Sequence, residues 1–296
     1  MTITLAFNNN AVTKKRCLEC FQSHIDSRTI LATSTLTWDG VRGSASACLI
    51  DSAAPEDFER ELGMPRAMTG VIDLIYTTGT STPTSVFNDN EKVRDYVENI
   101  QVGIDTTSIP GRFVSWLFKD TTHGICKKIT DERVKSVVRR IVQAHGRDYA
   151  AGDMTQKEWA ALRKETTKLS DELADRDRFD PDHVAIVMAE TSAWPIAKSV
   201  TVARDVLAKH LSLGIEHHQQ LVMKDAGWSE DDQATLQQFR DMVETGDRSA
   251  NADLRKSEPY SSMFKKIEAA QKAYSERQST ISAPYWNTLK KISASL

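Results

Sequence analysis

Hydrophobic and polar positions along this chain change rhythm near residue 90. Before that point the pattern reads as period two. Thr2-Ile3-Thr4-Leu5-Ala6-Phe7 alternates and is punctuated by Asn8-Asn9-Asn10. Thr29 to Trp38 is rich in threonine and β-branched residues and runs into Asp39-Gly40, a hairpin-turn signal. Ser44 to Ile50 reads as the return strand. Val71 to Thr77 reads as a further strand, followed by a Gly/Thr/Ser/Pro loop from Thr78 to Ser85. One short helix, Pro55 to Leu62, is stopped by Gly63. The expectation is an α+β N-terminal region with β-hairpins.

After residue 90 the period becomes helical, and a mainly α-helical bundle is expected. Glu91 to Ile100 forms one helix, and Asp105 to Arg112, with Pro110-Gly111, forms a turn. Val134, Val137, Val138, Ile141 and Val142 recur at helix spacing in a run from Thr130 to His145. Thr155-Gln156-Lys157-Glu158 is a capping box ahead of Trp159 and Leu162. Asp180-Pro181 opens a helix with proline at its first position, Pro195 breaks it, and Gly214 ends the following segment. Ile215 to Ala226 and Ser229 to Thr245 form a helical hairpin around Gly227. Asp247 to Pro259 reads as a linker, and Tyr260 to Arg277 and Pro284 to Ile292 are the last helices. The chain divides into an α+β region (1–90), a connecting segment (91–150) and an all-α bundle (151–296).

Composition narrows the class. With 296 residues, 40% hydrophobic and 27% charged, the chain is long enough for two domains and ordinary for a soluble protein. No apolar run approaches a membrane span of roughly 18 residues. Met1 to Asn10 lacks the basic and apolar regions of a signal peptide. The four cysteines fit a reducing compartment, and the cytoplasm is the expected location.

Two half-sites carry the candidate chemistry. Cys17-Leu18-Glu19-Cys20 and His123-Gly124-Ile125-Cys126 together supply four ligands, the number a tetrahedral structural Zn²⁺ takes. Brought together by folding, Cys17, Cys20, His123 and Cys126 would clip the two halves of the chain. His24 is a possible substitute for His123, and Cys48 reads as a core residue. Unbound thiols and a redox dithiol are the other readings, the latter without its βαβ context.

Positive charge gathers beside both half-sites in a chain of net charge −3. Lys14, Lys15 and Arg16 precede Cys17. Lys127 and Lys128 follow Cys126, and Arg133, Lys135, Arg139, Arg140 and Arg147 lie on the next helix. If the metal joins the half-sites, these side chains form one surface suited to a phosphate backbone. The bland alternative is a solvated helix face. Trp38 at the hairpin tip is placed to stack on a base. His217-His218 reads as surface histidines, because neighbours on a helix diverge by about 100°.

No glycine-rich nucleotide loop, nucleophile elbow or His-Glu-x-x-His motif is present. Ser262-Met263-Phe264-Lys265 matches Ser-x-x-Lys without its companion motifs. The resulting expectation is a zinc-stabilised nucleic-acid-binding or scaffolding subunit of a larger cytoplasmic complex, with nucleic acid and other protein subunits as partners. The layout alone is compatible with a subunit of a prokaryotic defence ribonucleoprotein. A metal-dependent hydrolase or nuclease, using Asp182 and Glu190, is the enzymatic alternative. A protein-interaction regulator without nucleic-acid binding is the third.

Overall fold

Val71, Ile72, Ile75 and Tyr76 are all fully buried, at the spacing of a helix enclosed on several sides. The computed structural model, which describes residues 4–79, 83–196, 199–245 and 253–296, accordingly folds this stretch as a helix. The expected strand from Val71 to Thr77 is therefore corrected. A continuous apolar run looks the same as buried strand or buried helix, and tertiary burial overrides the β preference of Val and Ile. Among the described residues there is no β-strand, only three isolated bridges. The α+β N-terminal region with hairpins is thus overturned, and the described residues are mainly helical.

The helices are α1 (Ala11–Ser27), α2 (Pro55–Leu62), α3 (Ala67–Gly79), α4 (Pro83–Asn99), α5 (Ile109–Lys119), α6 (Glu132–Ala151), α7 (Gln156–Glu172), α8 (Pro181–Thr191), α9 (Val202–Asp225), α10 (Glu230–Thr245) and α11 (Tyr260–Ala294). The turn at Asp39-Gly40 does form. Asp39 Oδ1 accepts from the amides of Val41 and Arg42, and Gly40 has φ of 96°. Trp38 and Gly43 then make one antiparallel bridge, and the ladder goes no further. Gly43 lies so close to Trp38 that a β-carbon would sit 2.6 Å from the indole. The return segment then winds into a buried 3-10 turn, Ala47–Leu49, instead of pairing. At the N-terminus, Ala6–Asn9 is also a 3-10 turn, with Phe7, Asn8 and Asn9 at positive φ. The Asn8 amide donates to the carbonyls of Arg60 and Glu61 at the end of α2. Residues 1–3 of the expected first strand, and 80–82 and 246–252 of the expected loop and linker, lie outside the described residues.

By compactness the chain forms two units, Met1–Leu213 with Ser279–Leu296, and Gly214–Gln278. In the larger unit α7 packs on α8, α5 on α6 and α6 on α8. Trp159 of α7 is buried with its ring 5.0 Å from that of His145. The smaller unit is held by Phe239 against Tyr260 and Phe264, and by Lys266 on the Asp232 carboxylate at 2.7 Å. Asp232 also accepts from the Ser229 amide and hydroxyl at the start of α10.

Two expected helix boundaries, the stop at Gly214 and the start at Pro284, do not occur. α9 passes straight through Gly214, which costs only about 1 kcal/mol relative to alanine in a helix interior. α11 passes through Pro284, where one backbone hydrogen bond is lost. Buried Tyr285, Trp286 and Leu289 anchor the turn that follows.

Asp182 organises the start of α6. Its carboxylate accepts from the Thr130 amide and hydroxyl at 2.7 Å each, from the Asp131 amide at 3.1 Å and from Arg176 Nη1 at 2.9 Å. Burial opposes its charge, but these donors outweigh burial and hold it below the usual carboxylate range. Asp182→Ala is expected to destabilise the fold by about 3 kcal/mol, because it leaves buried donors and a cation without their partner. Denaturant melts check this; a loss below about 1 kcal/mol would contradict the assigned role.

Candidate metal centre

The end of α1 positions the candidate site. Arg28 takes a left-handed conformation, with φ of 55°. The Arg28 amide then donates to the Ile25 carbonyl and the Thr29 amide to the His24 carbonyl, at 3.1 Å each, which is the paired geometry of a Schellman cap. The cap folds Thr29 back beneath His24, and Thr29 Oγ1 lies 2.7 Å from His24 Nδ1. The same hydroxyl also lies 3.4 Å from the His24 carbonyl, so it engages both the ring and the backbone of His24. That leaves Nε2 as the outward-facing nitrogen.

Cys20 stands one turn before His24 on the same face of α1. Asp51 arrives from the far side of the buried 3-10 turn and puts its Oδ1 2.7 Å from His24 Nε2. The ligand atoms of Cys20, His24 and Asp51 all lie within 4.8 Å of one another. Asp51 holds a left-handed backbone, φ 55°, which is uncommon for a residue with a side chain and costs about 1–2 kcal/mol. Trp38 closes one side, edge-on to His24 at 5.3 Å. Cys20 Sγ donates weakly to the Cys48 carbonyl at 3.5 Å, and Cys48 Sγ to the Gly43 carbonyl at 3.4 Å. Burial, and after it the Asp51 charge, pushes the Cys20 thiol up to about 12. Burial does the same to Cys48 and to Cys17.

This arrangement is not a nucleophilic triad. In a triad one imidazole nitrogen faces the thiol and the other faces the orienting carboxylate. Here one nitrogen belongs to Thr29 and the other to Asp51, while the thiol is held in its neutral form. A thiol, an outward imidazole nitrogen and a carboxylate converging on one point are instead a ligand set that Zn²⁺ accepts, with a fourth position left for water or another group. Thr29 supplies the outer hydrogen bond that orients ligating histidines.

The four anticipated ligands do not converge. Among the described residues, only Cys20 of that set belongs to a group of three or more close ligand atoms. Cys17 is buried beside Phe21 on the inner face of α1. His123 is exposed, with its ring 6.0 Å from Trp116 and its carbonyl accepting from His210 Nε2 at 2.9 Å. Cys126 is half-buried in a short 3-10 turn. Its thiol is raised by burial, against the pull of Lys119 and Arg139. The Cys-x-x-x-His spacing was visible once α1 is read as a helix. Asp51 was not, because it meets His24 only through the tertiary fold.

The expected basic surface is largely neutralised within the chain. Lys14 donates to the Glu98 and Ile100 carbonyls at 2.7 Å, capping α4. Lys15 pairs with Glu19 and Arg16 with Glu61. Arg133 pairs with Asp131 and Glu172, Lys135 with Glu132, Arg140 with Glu165, and Arg147 with Asp153 and Glu158. Among the described residues, Lys119, Lys127, Lys128 and Arg139 make no ion pair, while Lys15, Arg16, Arg133, Lys135, Arg140 and Arg147 share eight carboxylates. The enzymatic alternative loses its first carboxylate, since Asp182 is saturated by its four donors. Glu190 accepts from the Thr167 hydroxyl at 2.8 Å.

Comparison with protein-family models, with curated proteins and with solved structures finds no match to this chain.

If Asp51 is held in its left-handed conformation for the sake of its carboxylate, Asp51→Gly relieves that backbone and leaves stability within about 1 kcal/mol of wild type. Asp51→Ala keeps the strain, loses the carboxylate, and melts lower than Asp51→Gly. Equal melting of the two variants would contradict the strained geometry.

Proposed function

We propose that this chain is a zinc-stabilised binding or scaffolding protein, in which Zn²⁺ held by Cys20, His24 and Asp51 ties the end of α1 to the segment after the buried 3-10 turn. The observation that carries this reading is the convergence of the three ligand atoms within 4.8 Å, with the remaining nitrogen of His24 already held by Thr29. The cluster lacks the order of a nucleophilic triad and Asp182 serves the start of α6, so neither alternative chemistry is built here; with three protein ligands, the fourth zinc position falls to water or to a group of a partner. Metal binding to the folded state alone stabilises it by about 2.7 kcal/mol at a hundredfold excess of free ion over Kd.

Elemental analysis of the purified protein is expected to give one zinc per chain. Cys20→Ser and His24→Ala lose the metal and its stabilisation, while Cys126→Ser and His123→Ala keep both. Thr29→Val retains the three ligands but weakens affinity roughly 10- to 100-fold, through the lost outer hydrogen bond. Loss of zinc from Cys126→Ser with retention in Cys20→Ser would reverse the ligand assignment.

A contact with a phosphate backbone is the second part of the reading, confined to the cations around Cys126. Lys119 and Arg139 act on the Cys126 thiol, and Lys127 and Lys128 follow it in the chain. These four carry no internal carboxylate partner among the described residues, unlike Arg133, Lys135 and Arg140. Fluorescence anisotropy with a labelled 20-nucleotide RNA and a DNA duplex should show a log–log salt slope of about −2 to −3, the value for a few neutralised phosphates. Lys128→Ala with Arg139→Ala is expected to flatten that slope, and Arg133→Ala with Arg140→Ala to leave it unchanged. The opposite ranking would remove this patch from the proposal.

A further inference from the structure

A cleft of about 740 Å³ opens between α7, the end of α8 and the start of α9. Its volume lies in the range of small-molecule sites, roughly 300–1,000 Å³. The groups lining it are unusually rich in donors and poor in free carboxylates. Arg163 stacks its guanidinium over the Trp194 ring, 3.7 Å from the centroid. Its Nη1 donates to the Ala193 carbonyl at 3.0 Å, which fixes the plane of the group. Arg163 makes no ion pair among the described residues, so its positive charge is oriented but not neutralised.

Trp159 forms the floor of the cleft. It is 1% exposed, and its indole N–H has no hydrogen-bond partner. Trp194 is the opposite case. It is 48% exposed, a large apolar surface left open after the guanidinium has covered part of it. Thr201 and Val202, at the start of α9, add the partial positive charge of a helix N-terminus. Asp205 is the one carboxylate among the lining residues, and its Oδ1 already accepts from Arg204 Nε and Nη2 at 2.9 and 2.6 Å.

An oriented cation and an open indole call for complementary features in one ligand. It needs a negative group for Arg163 and a flat ring for Trp194. We infer that this cleft binds a small organic anion carrying a planar ring, the chemistry shared by a nucleoside monophosphate and an aromatic carboxylate. Ring stacking on an aromatic side chain and a charge-assisted bond to a planar guanidinium are each worth a measurable part of the affinity. The site is separate from Cys20, His24 and Asp51, and its test does not depend on zinc.

Isothermal titration of the full chain with adenosine monophosphate and with indole-3-acetate is the direct test. Adenosine and inorganic phosphate serve as the half-ligands. At least one ring-bearing anion is expected to saturate one site, at least tenfold more tightly than either half-ligand, and the tighter of the two identifies the source. Trp194→Ala, which removes a half-exposed side chain, should weaken that binding at least tenfold with the helical circular dichroism unchanged. Arg163→Gln should weaken it further. The inference is overturned if neither anion binds at millimolar concentration. It is equally overturned if a half-ligand binds as well as the whole, or if folded Trp194→Ala binds like wild type.

Discussion

The hydrogen bond between His24 Nδ1 and the Thr29 hydroxyl is the constraint on which the candidate site depends. Without it the imidazole is free to turn either nitrogen toward Cys20 and Asp51. With it, Nε2 is committed to them. The bond exists because α1 ends in a Schellman cap at Arg28, which brings Thr29 back under the last turn. A local backbone event at one helix end thus sets the chemistry of a cluster whose third member is twenty-seven residues farther on.

The rest of the cluster follows from how the N-terminal third packs. The 3-10 turn Ala47–Leu49 is fully buried, and the chain must reverse after it to regain the surface. Asp51 makes that reversal in a left-handed conformation and so faces His24. Strain of this kind persists only where the surroundings overdetermine it. The thiols show the same economy. Cys17 and Cys48 lie inside and behave as small hydrophobic residues, while Cys20 alone stands at the edge where it meets a carboxylate and an imidazole.

How much of this was legible beforehand depends on the range of the signal. α2 was readable in full, because Pro55 at its start, Glu56 and Asp57 in its first turn and Gly63 past its end are all local. The capping box at Thr155 and Glu158 was readable for the same reason, and both of its hydrogen bonds form. α3 was misread as a strand because Val71 to Thr77 is buried on too many sides to show a period. The hairpin was half right. Its turn forms and Trp38 bridges Gly43, but the return segment then coils into the buried turn Ala47–Leu49, which no local pattern announces. Ion pairs within the basic run, such as Arg133 with Glu172, join different helices. A charge run gives no hint of the carboxylates that fold against it.

The most direct test of the central claim is X-ray absorption at the zinc edge of the zinc-loaded, full-length protein. The account predicts a single sulfur neighbour at about 2.3 Å, with imidazole nitrogen and oxygen at about 2.0–2.2 Å completing a four-coordinate ion. Two or more sulfurs per zinc, or a protein that retains no zinc after gel filtration, would contradict it.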